Sequence, residues 1–387
     1  MSVTAPRGFV AAGLHCGIKP SGNPDLALVA TASCLPVNAA AVFTSNKMTA
    51  APVLVSHAHL TSSGGQAAAV ILNSGNANAA NGAAGVDAAE RMCRRTAREM
   101  ETHEDYILVC STGLIGIPFP IETVEAGIAG LVRARGPENS HDAAVAIMTT
   151  DTHDKQVVVE GPGFTVGGMA KGAAMLAPNM ATMLCVLTTD AAATPRQLKN
   201  ALLKGVAKSF NSMVVDGCQS TNDTVILMAS AEAGPVGEAD LEEAVAQACM
   251  NLCKQMTGDA EGATKVVTLT VTGAASDEDA RIGARAIAKS QLTKCSWYGC
   301  DPYWGRICSD LGASGIDFEQ FKVSVSYGGV TVAADGCEID HDRVAVASHM
   351  QLRHLEIVAD LGIGTGLATI FTNDLTHAYV DENMGTS

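Results

Sequence analysis

The sequence predicts an α/β protein, and three observations carry that expectation. Short apolar runs alternate with longer amphipathic stretches along the whole 387-residue chain, the signature of interleaved strands and helices. Hydrophobic residues make up 47% but aromatics only 4%, so the core must be built from Ala, Val, Leu, Ile and Met. Glycine is abundant, at 38 residues, which suits a chain full of tight turns and close backbone approaches. The length fits two or three domains, or one large multilayer domain.

The elements follow in order. Residues 26–31, 53–56 and 69–72 read as short buried strands. A helix starts near Asn81: Val86, Ala89, Cys93, Ala97 and Met100 recur at helical spacing, with Arg91, Arg94, Arg95 and Arg98 on the wet side. Residues 106–110 form a strand. Ile121, Val124, Ile128, Leu131 and Val132 mark a second amphipathic helix that ends near Gly136-Pro137. A strand at 156–160 precedes a Gly-Pro-Gly turn, and the Gly-rich stretch 160–172 is the most linker-like in the chain. An apolar strand runs from Met183 to Leu187. Thr194-Pro195 then opens a helix, with Thr as N-cap and Pro at the first helical position. Later strands are expected at 225–228, 266–271, 323–326 and 355–358, and helices near 239–256 and 277–290.

Charge and composition exclude several classes. The chain carries 25 basic and 40 acidic residues, net −15, and has no Lys/Arg cluster of the kind a nucleic-acid binder shows. The same charge disfavours anionic membranes. An anionic substrate would need a few local cations to hold it against the global field. No apolar run reaches 18 residues, so no transmembrane helix is expected, and the first ten residues lack the pattern of a signal peptide. The twelve cysteines are scattered without a CxxC pair and read as reduced thiols of a cytoplasmic protein.

Some suggestive motifs are better explained as structure. Gly362-Ile363-Gly364-Thr365-Gly366 imitates a dinucleotide loop, but a strand-like run at 368–371 follows where a helix should. No GxxxxGK[ST] or GxSxG occurs. His57, His59 and His153 lack metal-ligand spacing and read as surface or turn histidines, so no metal is expected. Cys185 lies inside an apolar run, where a buried, inert thiol is the better reading.

The informative segment contains Gly167-Gly168-Met169-Ala170-Lys171, then Pro178-Asn179-Met180-Ala181-Thr182-Met183-Leu184, and ends in Thr188-Thr189-Asp190-Ala191. On physical grounds it is a loop-to-strand junction with one well-placed hydroxyl. It closely resembles the processing site of the ornithine acetyltransferase (glutamate N-acetyltransferase) family, and the resemblance runs essentially end to end. Matching blocks lie at residues 73–78, 111–116, 148–152, 216–217 with 220–223, 259–265, 300–306 and 374–376.

That resemblance implies an N-terminal-nucleophile-like four-layer αββα sandwich, self-cleaved between Ala181 and Thr182. The α chain (1–181) and β chain (182–387) would form one intertwined fold rather than two domains. It implies that Thr182 becomes the nucleophile, with its freed α-amino group as base; such a group has a pKa of about 8, near the working pH of a general base. Thr112 and Gly113 are implied as the oxyanion hole. Thr149, Lys171, Thr182, Glu261, Asn383 and Ser387 are implied as substrate contacts.

The reaction implied is ping-pong transfer of acetyl from N2-acetyl-L-ornithine through Thr182 to L-glutamate, in arginine biosynthesis, without metal or bound cofactor. Some members also accept acetyl-CoA. An α2β2 assembly is implied. A same-fold amidohydrolase or aminopeptidase, and an unprocessed amino-acid-binding protein, are the alternatives. The chain departs from the family pattern at Cys218-Gln219, at Ala260, and at Asn373, where a Cys is usual before Asp-Leu-Thr.

Overall fold

The computed structural model describes residues 2–175 and 183–385. The chain divides into two compact units: Met1–Asn211 with Cys218–Met256, and Ser212–Gly217 with Thr257–Ser387.

The first unit begins with β1 (Phe9–Leu14), β2 (Leu26–Thr31), β3 (Val37–Phe43), α1 (Ala51–Ser62), β4 (Gln66–Ala67) and β5 (Ala69–Asn76). It continues with α2 (Gly82–Met100), β6 (Ile107–Leu114), α3 (Ile121–Arg133), α4 (Ser140–Ala146), β7 (Lys155–Gly161) and β8 (Phe164–Lys171). After residue 182 come β9 (Leu184–Ala192) and α5 (Pro195–Lys208). The short β10 (Met213–Val214) belongs to the second unit, and β11 (Thr224–Pro235) and α6 (Glu238–Gly258) follow.

Two sheets result, in the orders β1-β2-β5-β6 and β4-β3-β11-β9-β8-β7. Their facing sides share one core: Ala27, Val29, Val70, Leu72 and Leu108 from the first, Met169, Leu184, Val186, Ile226 and Met228 from the second. The outer face of the first sheet packs Leu28, Ile71 and Val109 against Met92, Cys93, Val124, Ile128 and Leu131 of α2 and α3. Because both faces are covered, all six residues of β2 are buried, as sandwiched strands require. Each large aliphatic side chain so buried contributes about 1.5–3 kcal/mol. On the far side of the second sheet, α5 packs on β3 and β11. Gly205 lets α6 approach α5: a Cβ there would stand 3.3 Å from the Cys249 sulfur. The first unit is therefore an αββα sandwich, the layering expected from the sequence.

The second unit is built on a mixed sheet, β10-β17-β12-β16-β13-β14-β15. Its later strands are β12 (Val266–Ala274), β13 (Ser324–Tyr327), β14 (Val330–Ala334), β15 (Cys337–Glu338), β16 (His354–Asp360) and β17 (Gly366–Asn373). Helix α7 (Asp277–Lys289) is capped by Ser276, which accepts from the Asp279 N–H, and packs on β12 and β17.

Two expectations fail locally. Residues 53–56 lie inside α1, not in a strand. Pro52 stands in the first helical turn, where its missing N–H costs nothing, and a four-residue apolar run has no period that separates strand from helix. The linker-like stretch 160–172 is mostly β8, buried along seven of its eight residues. Its glycines are packing devices: a Cβ at Gly167 would collide with the Ser2 carbonyl, and one at Gly168 with Leu187. The Gly362 turn and the strand after it are as expected. So is α5, where Thr194 and Gln197 form a reciprocal capping box.

Candidate active site

Thr112 and Gly113 sit at the end of β6, where the Asn73–Asn78 block of β5 and its loop runs alongside. That block is a self-bonded turn. Asn73 Nδ2 donates to the Asn76 carbonyl at 2.8 Å, and the Asn78 N–H donates to Asn76 Oδ1 at 2.8 Å. It holds Gly75 against Gly113. Gly113 has φ +130°, and a Cβ on it would run into the Gly75 backbone, so no other residue fits without moving β5. Asn222 braces the preceding residue by donating to the Ser111 carbonyl at 2.9 Å and the Ala77 carbonyl at 2.6 Å. Thr112 is buried and the Gly113 backbone exposed, an arrangement in which a hydroxyl and an amide are held on a rigid strand end.

The second group lies at one end of the six-stranded sheet, where β7 begins and β8 ends. Asp151 organises it. Its carboxylate accepts from Lys155 Nζ at 2.7 Å, the Gly172 N–H at 2.8 Å and the Thr149 N–H at 3.0 Å, and Lys171 Nζ lies at 3.8 Å. Lys155, Lys171 and Asp151 are all buried. Burial pushes the Asp151 carboxyl up, but the charges of Lys171 and Lys155 outweigh it and hold the group well below the usual carboxylate range. Thr149 and Lys171, separated by 22 positions in sequence, thus share one carboxylate.

At the same sheet end β9 is fixed from its first described residue. The Met183 N–H donates to Asp223 Oδ1 at 2.9 Å, and the Met183 carbonyl accepts from the Thr224 N–H at 3.1 Å. Asp223 is buried, and among the described residues its Oδ2 has no hydrogen-bond partner. Burial pushes its carboxyl well above the usual range, against the opposing pull of the Met183 N–H, Ser220 and Lys171. Ala181, Thr182 and Ser387 fall outside the described residues.

In the second unit Glu261 and Asn383 meet: Asn383 Nδ2 donates to Glu261 Oε2 at 2.8 Å. Cys185 is buried, and burial raises its thiol well above the ordinary value, consistent with the inert reading. Among the described residues no group of three His, Cys, Asp or Glu is placed to hold a metal, and no helix is long and apolar enough to cross a membrane. Asp151 and Asp223 were not singled out from the sequence as site residues, although both lie inside blocks that carry the family resemblance, and Lys19, which donates to the Met148 carbonyl at 2.7 Å, carried no signal at all.

Fold and site define a layered α/β protein with a buried aspartate–lysine group at one end of its six-stranded sheet. The chain belongs to the ArgJ family, whose model matches residues 10–385. It is 48% identical over 399 residues to the arginine biosynthesis bifunctional protein ArgJ of Mycobacterium leprae, covering 100% of this chain and 95% of that protein. It is 45% identical over 388 residues to the protein of that name from Thermobifida fusca, with 100% of both covered. Among solved structures, ornithine acetyltransferase complexed with ornithine from Mycobacterium tuberculosis is 42% identical, covering 47% of this chain and 96% of that chain, at TM-score 0.42.

Proposed function

We propose that the chain is a glutamate N-acetyltransferase of arginine biosynthesis, matured by cleavage of its own 181/182 bond. Thr182 Oγ would attack the acetyl carbon of N2-acetyl-L-ornithine while the Thr182 α-amino group takes the hydroxyl proton. Thr112 Oγ–H and the Gly113 N–H receive the oxyanion. Collapse breaks the C–N bond, the proton passes to the departing amine, and L-ornithine leaves an acetyl ester on Thr182. The α-amine of L-glutamate then repeats the sequence in reverse and departs as N-acetyl-L-glutamate.

Thr149 and Lys171 hold the amino-acid end of the substrate, with Glu261, Asn383 and Ser387 as further contacts. Lys171 supplies a cation in a chain of net charge −15. The chemistry needs neither metal nor bound cofactor; acetyl-CoA enters only as an alternative acetyl donor. An α2β2 assembly in the cytoplasm completes the reading.

The observation that supports it most is the anchored start of β9. Met183, the residue after Thr182, is held through both its N–H and its carbonyl. The residue that follows the proposed nucleophile is therefore fixed on both its backbone polar groups, and positioned catalytic groups need such a fixed base. Strands β9 and β11 lie between β3 and β8 in one sheet, so the 1–181 and 182–387 segments interleave.

On a denaturing gel the purified protein should give two bands, each near half the full mass, one beginning Thr-Met-Leu-Cys. Thr182→Ala should stay as one band without transferase activity. Acetyl-ornithine and glutamate together should give parallel-line kinetics. A single full-length band with full activity, or intersecting lines, would overturn the reading.

A further inference from the structure

The four-stranded sheet ends at β6, whose outer side has no neighbouring strand in that sheet. Backbone polar groups along such an edge take their partners from elsewhere. Side chains supply them at every second residue of β6. His59 Nδ1 lies 2.8 Å from the Ile107 carbonyl. The Ser56 hydroxyl accepts from the Val109 N–H at 2.8 Å and donates to the Val109 carbonyl at 2.7 Å. Asn222 Nδ2 donates to the Ser111 carbonyl at 2.9 Å. The next position of the same parity is Gly113, which is exposed. Asn222 is therefore the cap nearest to the pair proposed as the oxyanion hole.

Asn222 differs from the other two caps. His59 and Ser56 belong to α1, whereas Asn222 stands just before β11, a strand of the six-stranded sheet. Its Nδ2 also donates at 2.6 Å to the carbonyl of Ala77, the residue after β5. Its own place is fixed: its N–H donates to Ser220 Oγ at 3.0 Å, and its Oδ1 accepts from the Thr221 hydroxyl at 2.6 Å. The following residue, Asp223, accepts the Met183 N–H at 2.9 Å. The core between the two sheets is apolar, and apolar packing is non-directional; hydrogen bonds such as these give the placement of β6 against β9 its precision. We propose that Asn222 is a positioning residue for acetyl transfer: it ties the strand end bearing Thr112 and Gly113 to the same dipeptide, Asn222-Asp223, that anchors the residue after the nucleophile. This rests on the acetyltransferase reading above.

The test is a double-mutant cycle on kcat, expressed per mature site by counting the L-ornithine released when glutamate is withheld. Asn222→Ala should lower kcat by about 10- to 100-fold with KM little changed, the cost of misplacing a catalytic group by about 1 Å. Thr112→Val should lower kcat by about 10²–10³ on its own, but by less than about tenfold in the Asn222→Ala background, because a donor already out of place has little left to lose. Ser56→Ala strips the Val109 cap from the same edge and should leave kcat within about threefold of wild type. If Asn222→Ala fails to fold or to mature, Asn222→Ser, which keeps one hydroxyl donor, must show the same coupling to Thr112→Val. Additive losses in the cycle would make Asn222 a structural brace and overturn the proposal. So would an Asn222→Ala kcat within about threefold of wild type, whatever its melting temperature, or an equal loss in Ser56→Ala. If wild type shows neither cleavage nor transfer, the acetyltransferase reading itself has failed.

Discussion

Replacing Asp151 with Asn tests the architecture of the charged group. The carboxylate lies 2.7 Å from Lys155 Nζ, and both side chains are wholly inaccessible. Removing one member of such a pair strips the buried cation of that counter-charge, which costs about 3–5 kcal/mol. At roughly 2–4 °C per kcal/mol for a unit of this size, Asp151→Asn should lower the melting temperature by about 6–20 °C. The sign with pH follows from the depressed native pKa. The stabilisation is fully present above the unfolded value near 3.9 and is lost only as pH falls through the lower native value, so the deficit should be constant between pH 5 and 8. Because the cost resides in the abandoned cation, Asp151→Asn with Lys155→Met should recover a substantial part of it in calorimetry. A single mutant within about 1 kcal/mol of wild type, or a double mutant no more stable than the single, would refute this account.

Thr112→Val removes a hydroxyl while preserving shape. It should lower kcat by about 10²–10³, the cost of one oxyanion donor, with KM little changed; a fall below threefold in steady-state kinetics would remove Thr112 from the oxyanion role. Asp223→Asn keeps an oxygen for the Met183 N–H. Since the native pKa of Asp223 is raised, wild-type stability should decline as pH climbs from about 4 toward that native value. The variant should lack this slope, and parallel curves of melting temperature against pH would contradict the assignment.

What was legible in the sequence depended on whether the signal was local. Helix α2 announces itself because Val86 through Met100 repeat at helical spacing, and α5 because its cap is written in Thr194-Pro195-Arg196-Gln197. Gly167 and Gly168 misled because a glycine placed for close contact with a distant carbonyl or side chain looks the same in sequence as a glycine placed for flexibility. The same distinction governs the site. The Thr112-Gly113 pair is proposed through a contiguous family motif. The grouping of Lys19, Asp151 and Lys171 spans more than 150 positions, and each member alone resembles an ordinary surface charge; only the folded chain brings them together.

The proposed cut is compatible with the same topology. Strands β8 and β9 pair antiparallel from Lys171↔Leu184 to Val166↔Thr189, and β11 pairs with β9 on one side and β3 on the other. A break at 181/182 falls in the connection between two strands and removes none of these ladder hydrogen bonds. The inner core likewise draws Met169 from before the break and Leu184, Val186 and Ile226 from after it, so separating the fragments would expose that core. Cleavage there would leave intact the ladders on both sides of the break. A cut inside β8 or β9 would free an amine as well, but at the expense of the ladder that holds Lys171 and Met183 at one sheet end.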